Sequence, residues 1–196
     1  MGKEMMKKEA TDLGKNALSE EFLEHKKKKK WTDKKTGYTC FALYARSLYV
    51  TWGGKENWTW DCFKETSEEN IEVAKLSHVC WLDVRGKLSM SDLSPEVVYE
   101  IVYVVKLTNN ASGWELPIML QLSLPDGRVQ QRQVSLLEKP RKQWIELNVG
   151  SFQSTKGEPG EVGFEIHEHE GHWKNGLIIS GAILRPKHEM TLHVTQ

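Results

Sequence analysis

The sequence lacks the features that define several large classes of protein. No apolar run approaches the roughly 18 residues that a membrane-spanning helix requires, so we expect no membrane span. Cysteine is scarce: Cys40, Cys62 and Cys80 form no Cys-x-x-Cys pair, which argues against a closed disulfide framework and a zinc site. Neither sign of charge is in excess, because 27 lysines and arginines face 27 aspartates and glutamates. That balance argues against a dedicated nucleic-acid binder.

Signatures of enzymes and of secreted proteins are missing as well. We find no Walker loop, dinucleotide glycine fingerprint, Gly-x-Ser-x-Gly elbow or His-Glu-x-x-His motif. The first residues contain no apolar stretch of about 7–15 residues, as a secretory signal requires, so we expect a cytoplasmic protein with reduced thiols. The alternative is that Cys40, Cys62 or Cys80 cross-links two chains. The histidine-rich stretch 167–172 borders a glycine turn, where polar side chains are ordinarily solvated. We therefore expect neither a metal site nor a cofactor.

Charge is nevertheless unevenly distributed along the chain. Residues 1–37 contain 11 lysines and 7 acidic residues, a net of +4, and the remainder carries −4. Five of these lysines are adjacent: Lys26, Lys27, Lys28, Lys29 and Lys30. Because neighbouring ammonium groups repel one another and stay hydrated, we expect residues 1–37 to form a mobile, largely disordered tail. A nuclear-import signal and an anchor for RNA or acidic lipid are the alternatives to a purely solubilising stretch.

From residue 38 onward the pattern is that of β-strands. Apolar and polar residues alternate in segments such as 47–52 and 161–166, and Gly, Pro and Asn turns separate the segments every 10–15 residues or so. The stretch 177–184 is apolar on both parities, which is typical of a central strand. This spacing predicts an all-β antiparallel sandwich or jelly roll over residues 38–190, followed by a short C-terminal tail, 191–196.

Tryptophans flank a Gly-Gly turn in the first part of this domain. Trp52 precedes Gly53 and Gly54, and Trp58 stands between Asn57 and Thr59, a poor setting for a buried indole. We expect both indoles to be exposed, and a flat indole suits stacking on the apolar C–H face of a sugar ring. The alternative is that one or both cap the sandwich core.

The chain resembles the plant phloem lectins of the phloem protein 2 family, which includes the tobacco lectin Nictaba, and in particular the cucurbit phloem lectins. The resemblance covers about residues 39–187. It is carried, in order, by Ala45 to Trp52, Asn57-Trp58-Thr59-Trp60, Asn70 to Leu76, Val79 to Lys87, Gly160-Glu161-Val162, Trp173 to Gly181 and Arg185-Pro186-Lys187.

The resemblance implies a fold of carbohydrate-binding-module type and a lectin without enzymatic activity. The implied ligands are N-acetylglucosamine oligomers, including chitooligosaccharides, and glycoproteins with GlcNAc-containing N-glycan cores. The implied location is the cytoplasm of phloem sieve elements and companion cells, with a nuclear fraction and a homodimer as further expectations. RNA and phloem filament proteins are further implied partners. The sugar site falls by motif on Trp52, Trp58, Glu161 and Glu168, with Asn57, Trp60, Glu170 and His172 as lesser candidates.

Two other functions stay open at this level. A glycoside hydrolase could pair Glu161 with Glu165 or Glu168, since two carboxylates across a cleft suffice for that chemistry. An RNA-binding or filament protein could use the lysine run. One geometric difficulty attends the lectin site: Glu161 and Glu168 are seven residues apart and would face opposite sides of one straight strand.

Overall fold

A computed structural model describes residues 20–62 and 71–188, which form two antiparallel β-sheets around one core. The first sheet contains β1 (Glu20–Leu23), β2 (Lys28–Thr32), β3 (Thr39–Tyr44), β5 (Trp58–Asp61), β6 (Val73–Leu76), β8 (Val98–Ser112), β11 (Trp144–Gln153) and β13 (Asn175–Pro186). The second contains β4 (Tyr49–Val50), β7 (Leu82–Ser89), β9 (Ile118–Ser123), β10 (Val129–Val134) and β12 (Glu161–Glu168). The predicted all-β sandwich is thereby confirmed. The expectations for residues 1–19 and 191–196 lie outside the described residues.

Strand β13 organises the first sheet. It pairs with β8 along one edge and with β6 and then β3 along the other, so neighbours flank it on both sides. The register of β13 against β8 shifts between Ile179 and Gly181. A side chain at Gly181 would overlap the Leu43 carbonyl of β3. The place of β13 between neighbouring strands explains why residues 177–184 are apolar at both odd and even positions, as the sequence predicts for a central strand.

The core fills the space between the two sheets. Alternate residues of β12 point inward, among them Val162, Phe164 and Ile166, each no more than 2% exposed. The Tyr103 hydroxyl of β8 donates to the Phe164 carbonyl of β12 at 3.0 Å, which ties one sheet to the other. Burying each such large apolar side chain contributes about 1.5–3 kcal/mol. The core therefore holds the sheets in one fixed arrangement.

The lysine-rich segment differs from the expected mobile tail over residues 20–37. Strand β2 lies between β1 and β3 as part of the first sheet. The expected repulsion is offset by carboxylates from the same hairpin: Lys28 Nζ lies 3.0 Å from Glu24, and Lys29 Nζ lies 3.4 Å from Glu20. The alternation of the strand points successive ammonium groups to opposite faces, so Lys28 to Lys30 do not form one solvated cluster.

Helical structure is nearly absent from residues 20–62 and 71–188. Two short 3-10 turns occur, Ala45–Ser47 and Met90–Asp92. Within these ranges no helix has the length and apolar character that crossing a membrane would demand. The three cysteines are free thiols, and burial raises the pKa of Cys40 to about 11.

Candidate functional site

Strands β7 and β12 run antiparallel and define two ends of the second sheet. Leu82 pairs with Glu168 at one end and Ser89 pairs with Glu161 at the other. Seven residues of strand separate the ends by about 23 Å. We name the first the aromatic end, defined by Trp52, Trp81 and His169, and the second the far end, defined by Lys87, Ser89 and Glu161.

Trp52 lies at the aromatic end. Strand β4 pairs with β7, and the Thr51 amide donates to the Asp83 carbonyl at 3.0 Å, so the next residue, Trp52, leaves the sheet beside Leu82. Its indole is 66% exposed, as the sequence predicts. Its φ is +55°, in the left-handed region, which costs a non-glycine residue about 1–2 kcal/mol. Trp52 therefore combines a large exposed ring with an unfavourable backbone conformation.

Trp58 lies in the core instead. It is 1% exposed, because β5 pairs with β6 in the first sheet and the alternation of β5 turns Trp58 inward and Thr59 outward. Among the described residues its indole N–H has no hydrogen-bond partner. The prediction that this indole is open to solvent is wrong, and the alternative that it caps the sandwich is correct. In this conformation no sugar can stack on its face.

A cavity of about 450 Å³ opens between the Gly53–Gly54 turn and β5, and Trp58 and Trp60 form part of its wall. The Trp60 Nε1 donates to the Gly53 carbonyl at 2.9 Å, and the Arg46 guanidinium stacks 4.0 Å from the Trp60 ring. The lesser candidate Trp60 therefore fixes the turn that follows Trp52.

The lesser candidate Asn57 also has a structural contact. Its side-chain amide donates to the His78 carbonyl at 2.9 Å. The backbone N–H groups of Asn57 and Trp58 both donate to the Gly54 carbonyl, at 3.0 and 2.9 Å. Asn57 thus anchors the turn to the segment after β6, and this use of its amide competes with sugar binding.

Glu168 is at the aromatic end but points inward. It is 6% exposed and lies 2.5 Å from Lys174 Nζ, which is fully buried. The same ammonium donates to the carbonyls of Cys80, Glu170 and His172. The Glu168 carboxylate also accepts from the Glu170 amide at 2.9 Å. Glu168 therefore positions the loop 169–173 through Lys174, rather than presenting a carboxylate to a ligand.

The contacts of Glu168 and Lys174 also position the other two loop candidates, Glu170 and His172. The Glu170 side chain is exposed, while its backbone amide donates to Glu168 and its carbonyl accepts from Lys174. The His172 Nε2 lies 3.0 Å from the Gly113 carbonyl and 3.5 Å from the Glu168 carboxylate. Both lie at the aromatic end, and of the two only Glu170 is open to solvent.

Glu161 lies at the far end, about 23 Å from Glu168 along the strand. Its side chain is half-exposed, 3.6 Å from Lys87 Nζ. Glu165 is four residues further along the same face, at about 13 Å from Glu161. Neither pair reaches the roughly 5–9.5 Å separation of hydrolase carboxylates, so the geometry disfavours that alternative. Equally, the structure does not bring Glu161 together with Trp52.

Two aromatic residues that the sequence interpretation did not assign to the site complete the aromatic end. Trp81 is 46% exposed and stacks on His169, with ring centroids 3.6 Å apart and planes within 6°. The His169 Nε2 lies 3.0 Å from the buried Asp83 carboxylate. Because 88 positions separate Trp81 from His169, no local sequence signal brings them together.

Charged hydrogen bonds stabilise this cluster. Arg85 donates to Asp83 through Nε at 2.7 Å and through a terminal nitrogen at 2.9 Å, and its Nε lies 3.2 Å from Glu165. Burial pushes the pKa of Asp83 upward, but hydrogen bonds from Arg85 and His169 outweigh it, so the pKa is lowered. The hydrogen bond to Asp83 raises the pKa of Arg85. The Arg85 guanidinium therefore stays charged. Its side chain is more than half exposed on the sheet surface.

The histidines of the 167–172 stretch do not converge on one point. His167 stacks on His169 with centroids 4.8 Å apart, whereas His172 contacts Gly113. Across residues 20–62 and 71–188, no group of three or more His, Cys, Asp or Glu side chains is arranged to hold a metal ion.

Comparison with known proteins places these features in a family. The sequence pattern of the family described as Phloem protein 2 matches residues 38–186. A relative from Arabidopsis thaliana named Protein PHLOEM PROTEIN 2-LIKE A1 is 42% identical over 183 residues, covering 91% of this chain and 74% of the relative. A relative from Luffa acutangula named Lectin is 42% identical over 168 residues, covering 85% of this chain and 79% of the relative.

Solved structures with a similar fold are much less similar in sequence. One is TmCBM61 in complex with β-1,4-galactotriose, at 13% identity and a TM-score of 0.45, over 74% of this chain and 91% of that one. An identity that low says nothing about the ligand of this chain.

Proposed function

The chain belongs to the phloem protein 2 family, and we propose that it is a carbohydrate-binding lectin whose ligands contain N-acetylglucosamine, as chitooligosaccharides or as the core of N-glycans. The observation that supports this most is the exposed Trp52 indole, which is held in the left-handed region and leaves the sheet beside Leu82, the residue that follows Trp81. The two relatives described above carry the names of a phloem protein and a lectin, and neither name is that of an enzyme. This favours binding without turnover.

The aromatic end supplies the two kinds of contact that a sugar needs. The Trp52 and Trp81 faces can stack on the C–H face of a pyranose or on an N-acetyl methyl, at about 0.5–1.5 kcal/mol beyond area burial. The polar partners for hydroxyl and acetamido groups are the His169 ring, which stacks on Trp81, and the exposed Arg85 guanidinium, which is bonded to the same Asp83 carboxylate as His169. A hydrogen bond that involves a charged group contributes about 1.5–3 kcal/mol. A single ring on such an open surface should bind weakly, and an oligomer more tightly.

Partners other than sugar stay predictions. The lysine run proposed as an RNA anchor is partly neutralised, since Lys28 and Lys29 each lie within ion-pair distance of a glutamate. This favours a glycan over RNA as the ligand. The family supports a location in the phloem, and we propose the cytoplasm as the compartment. A nuclear fraction, filament partners and a homodimer have no support among the described contacts.

Calorimetric titration with chitotriose tests the proposal. We expect Trp52→Ala to weaken binding by at least about tenfold, because it removes an exposed stacking surface at the centre of the site. The matched control is Trp144→Ala, which removes a partly exposed indole from the first sheet. Unchanged affinity in the folded Trp52 variant would remove this residue from the site, and absence of binding in the wild type would refute the lectin proposal for this sugar.

A further inference from the structure

The lysine-rich hairpin helps to form a cavity on the outer face of the first sheet. The cavity is about 270 Å³, and residues of β1, β2, β3, β8 and β13 line it. Its walls are mainly apolar and include Trp31, Ala42, Val104 and Ile183. Because Tyr103 and Val105 point into the core, Val104 between them faces away from the second sheet. The cavity is therefore separate from the aromatic end.

An ion pair forms one side of the cavity. Lys29 Nζ lies 3.4 Å from the Glu20 carboxylate, and both residues contribute to the lining. The Lys29 side chain is only 14% exposed, and its ammonium lies 6.0 Å from the centre of the Trp31 ring. A lysine buried to this degree places its alkyl stem against apolar surface. Since the carboxylate neutralises the ammonium, the cavity presents little net charge and favours an uncharged ligand over an anion.

Ser180 adds a polar group to these apolar walls. Strand β13 changes partner at this residue, since β6 pairs with it up to Ile179 and β3 pairs with it from Gly181 onward. On the other edge, the register against β8 shifts between the same two residues, so Ser180 has no register partner among the described strands. Nor does its hydroxyl form a hydrogen bond to any residue of 20–62 or 71–188. A hydroxyl can donate and accept, and this one is available to a ligand.

We propose that this cavity binds a small, uncharged, mainly apolar molecule with one hydroxyl or carbonyl group, which bonds to Ser180. Sites for small molecules are typically concave and mainly apolar, with a few polar groups that fix the orientation of the ligand, and this cavity has that combination. Its volume is just below the range of roughly 300–1,000 Å³ found for drug-sized ligands, so the ligand is compact. The Trp31 indole offers a face for an aromatic ring. The hairpin thus supplies part of a second binding site, independent of the sugar site.

The test titrates the full chain with β-naphthol and with naphthalene, which differ only in the hydroxyl, and follows binding by ligand-detected NMR. Naphthol should bind the wild type with a sub-millimolar Kd, and more tightly than naphthalene. Val104→Phe fills the cavity and should weaken naphthol binding by at least about tenfold. The matched control is Val129→Phe, which adds the same ring to an exposed position of β10 and should change the affinity by about twofold or less.

Thermal denaturation verifies that these variants are folded. Should Val104→Phe not fold, Trp31→Ala replaces it, because it removes one wall of the cavity, with an expected loss of about fivefold. Ser180→Ala isolates the hydrogen bond: it should weaken naphthol binding by about threefold or more and leave naphthalene binding within about twofold.

Several outcomes would overturn the proposal. They are a lack of naphthol binding at about 1 mM, unchanged affinity in the folded cavity variant, and equal effects of Ser180→Ala on both ligands. Binding of naphthalenesulfonate as tight as that of naphthol would identify an anion site instead. A wild-type dimer that naphthol dissociates in light scattering would identify a second copy as the occupant. Chitotriose affinity should be unchanged in Val104→Phe, and a matching loss there would mean that the cavity is not an independent site.

Discussion

Each end of the second sheet contains a glutamate–lysine pair, and the two pairs are arranged in opposite ways. At the aromatic end the rings face solvent and the charges are buried: Trp52 is 66% exposed, while Glu168 and Lys174 form a pair inside the protein. At the far end the charges face solvent, with Glu161 and Lys87 as an exposed pair. At the aromatic end, these buried polar contacts hold the loop 169–173, which carries His169. The difference shows that a glutamate of β12 serves either as support or as surface, according to its burial.

The largest effect should separate the two tryptophans. Trp58→Ala empties a core position and should lower the free energy of unfolding by about 3–5 kcal/mol, whereas Trp52→Ala should change it by about 0.5 kcal/mol or less. Trp58→Phe should cost much less than Trp58→Ala, because the indole N–H has no partner to lose. Urea denaturation measures all three variants. Equal losses for Trp52→Ala and Trp58→Ala would contradict the assigned burial.

The next effect compares the two glutamates. Glu168→Gln leaves the buried Lys174 ammonium without its counter-charge, and we expect a loss of about 3 kcal/mol in the free energy of unfolding. Glu161→Gln removes one partner of an exposed pair and should change it by about 0.5 kcal/mol or less. If the two variants unfold at the same urea concentration, Glu168 does not support the loop.

A smaller effect depends on pH. The folded-state pKa of Asp83 is lowered, so its stabilisation is present above the unfolded pKa of about 3.9 and is lost as pH falls through the folded value. Asp83→Asn should therefore lower the free energy of unfolding by about 1.5–3 kcal/mol near neutral pH, the contribution of charged hydrogen bonds. The gap between variant and wild type should close at acid pH. Denaturation series at several pH values would show a constant gap if the carboxylate contributed nothing.

The smallest effect concerns sugar binding at the far end. Because Glu161 and Trp52 lie at opposite ends of the sheet, about 23 Å apart along the strands, Glu161→Gln should change chitotriose affinity by about twofold or less. Calorimetry on this variant and on Trp52→Ala, in the same buffer, makes the comparison direct. A loss for Glu161→Gln as large as that for the tryptophan variant would place both ends in one site.

Some of this arrangement could be predicted from the sequence, and some could not. The central strand is readable because residues 177–184 are apolar on both parities, and that pattern follows from having neighbours on both edges. Trp52 and Trp58 have similarly polar neighbours, yet only the pairing of β5 with β6 decides that Trp58 is buried. The stack of Trp81 on His169 joins positions from different strands. Its formation depends on the register of β7 and β12, which no local pattern specifies.

The lysine-rich hairpin has a consequence for how this protein behaves at high concentration. Strand β3 is almost entirely apolar and pairs with β13 on one side and β2 on the other. Without the hairpin, the unpaired backbone amides and carbonyls of β3 would form an exposed sheet edge, which could pair with further chains to give fibrillar aggregates. The edge of the sheet is instead β1 and the turn that follows it, whose lysines and glutamates make it a poor template for the addition of further strands. We therefore expect the hairpin, which precedes the matched residues 38–186, to lower the tendency of the folded unit to seed aggregation.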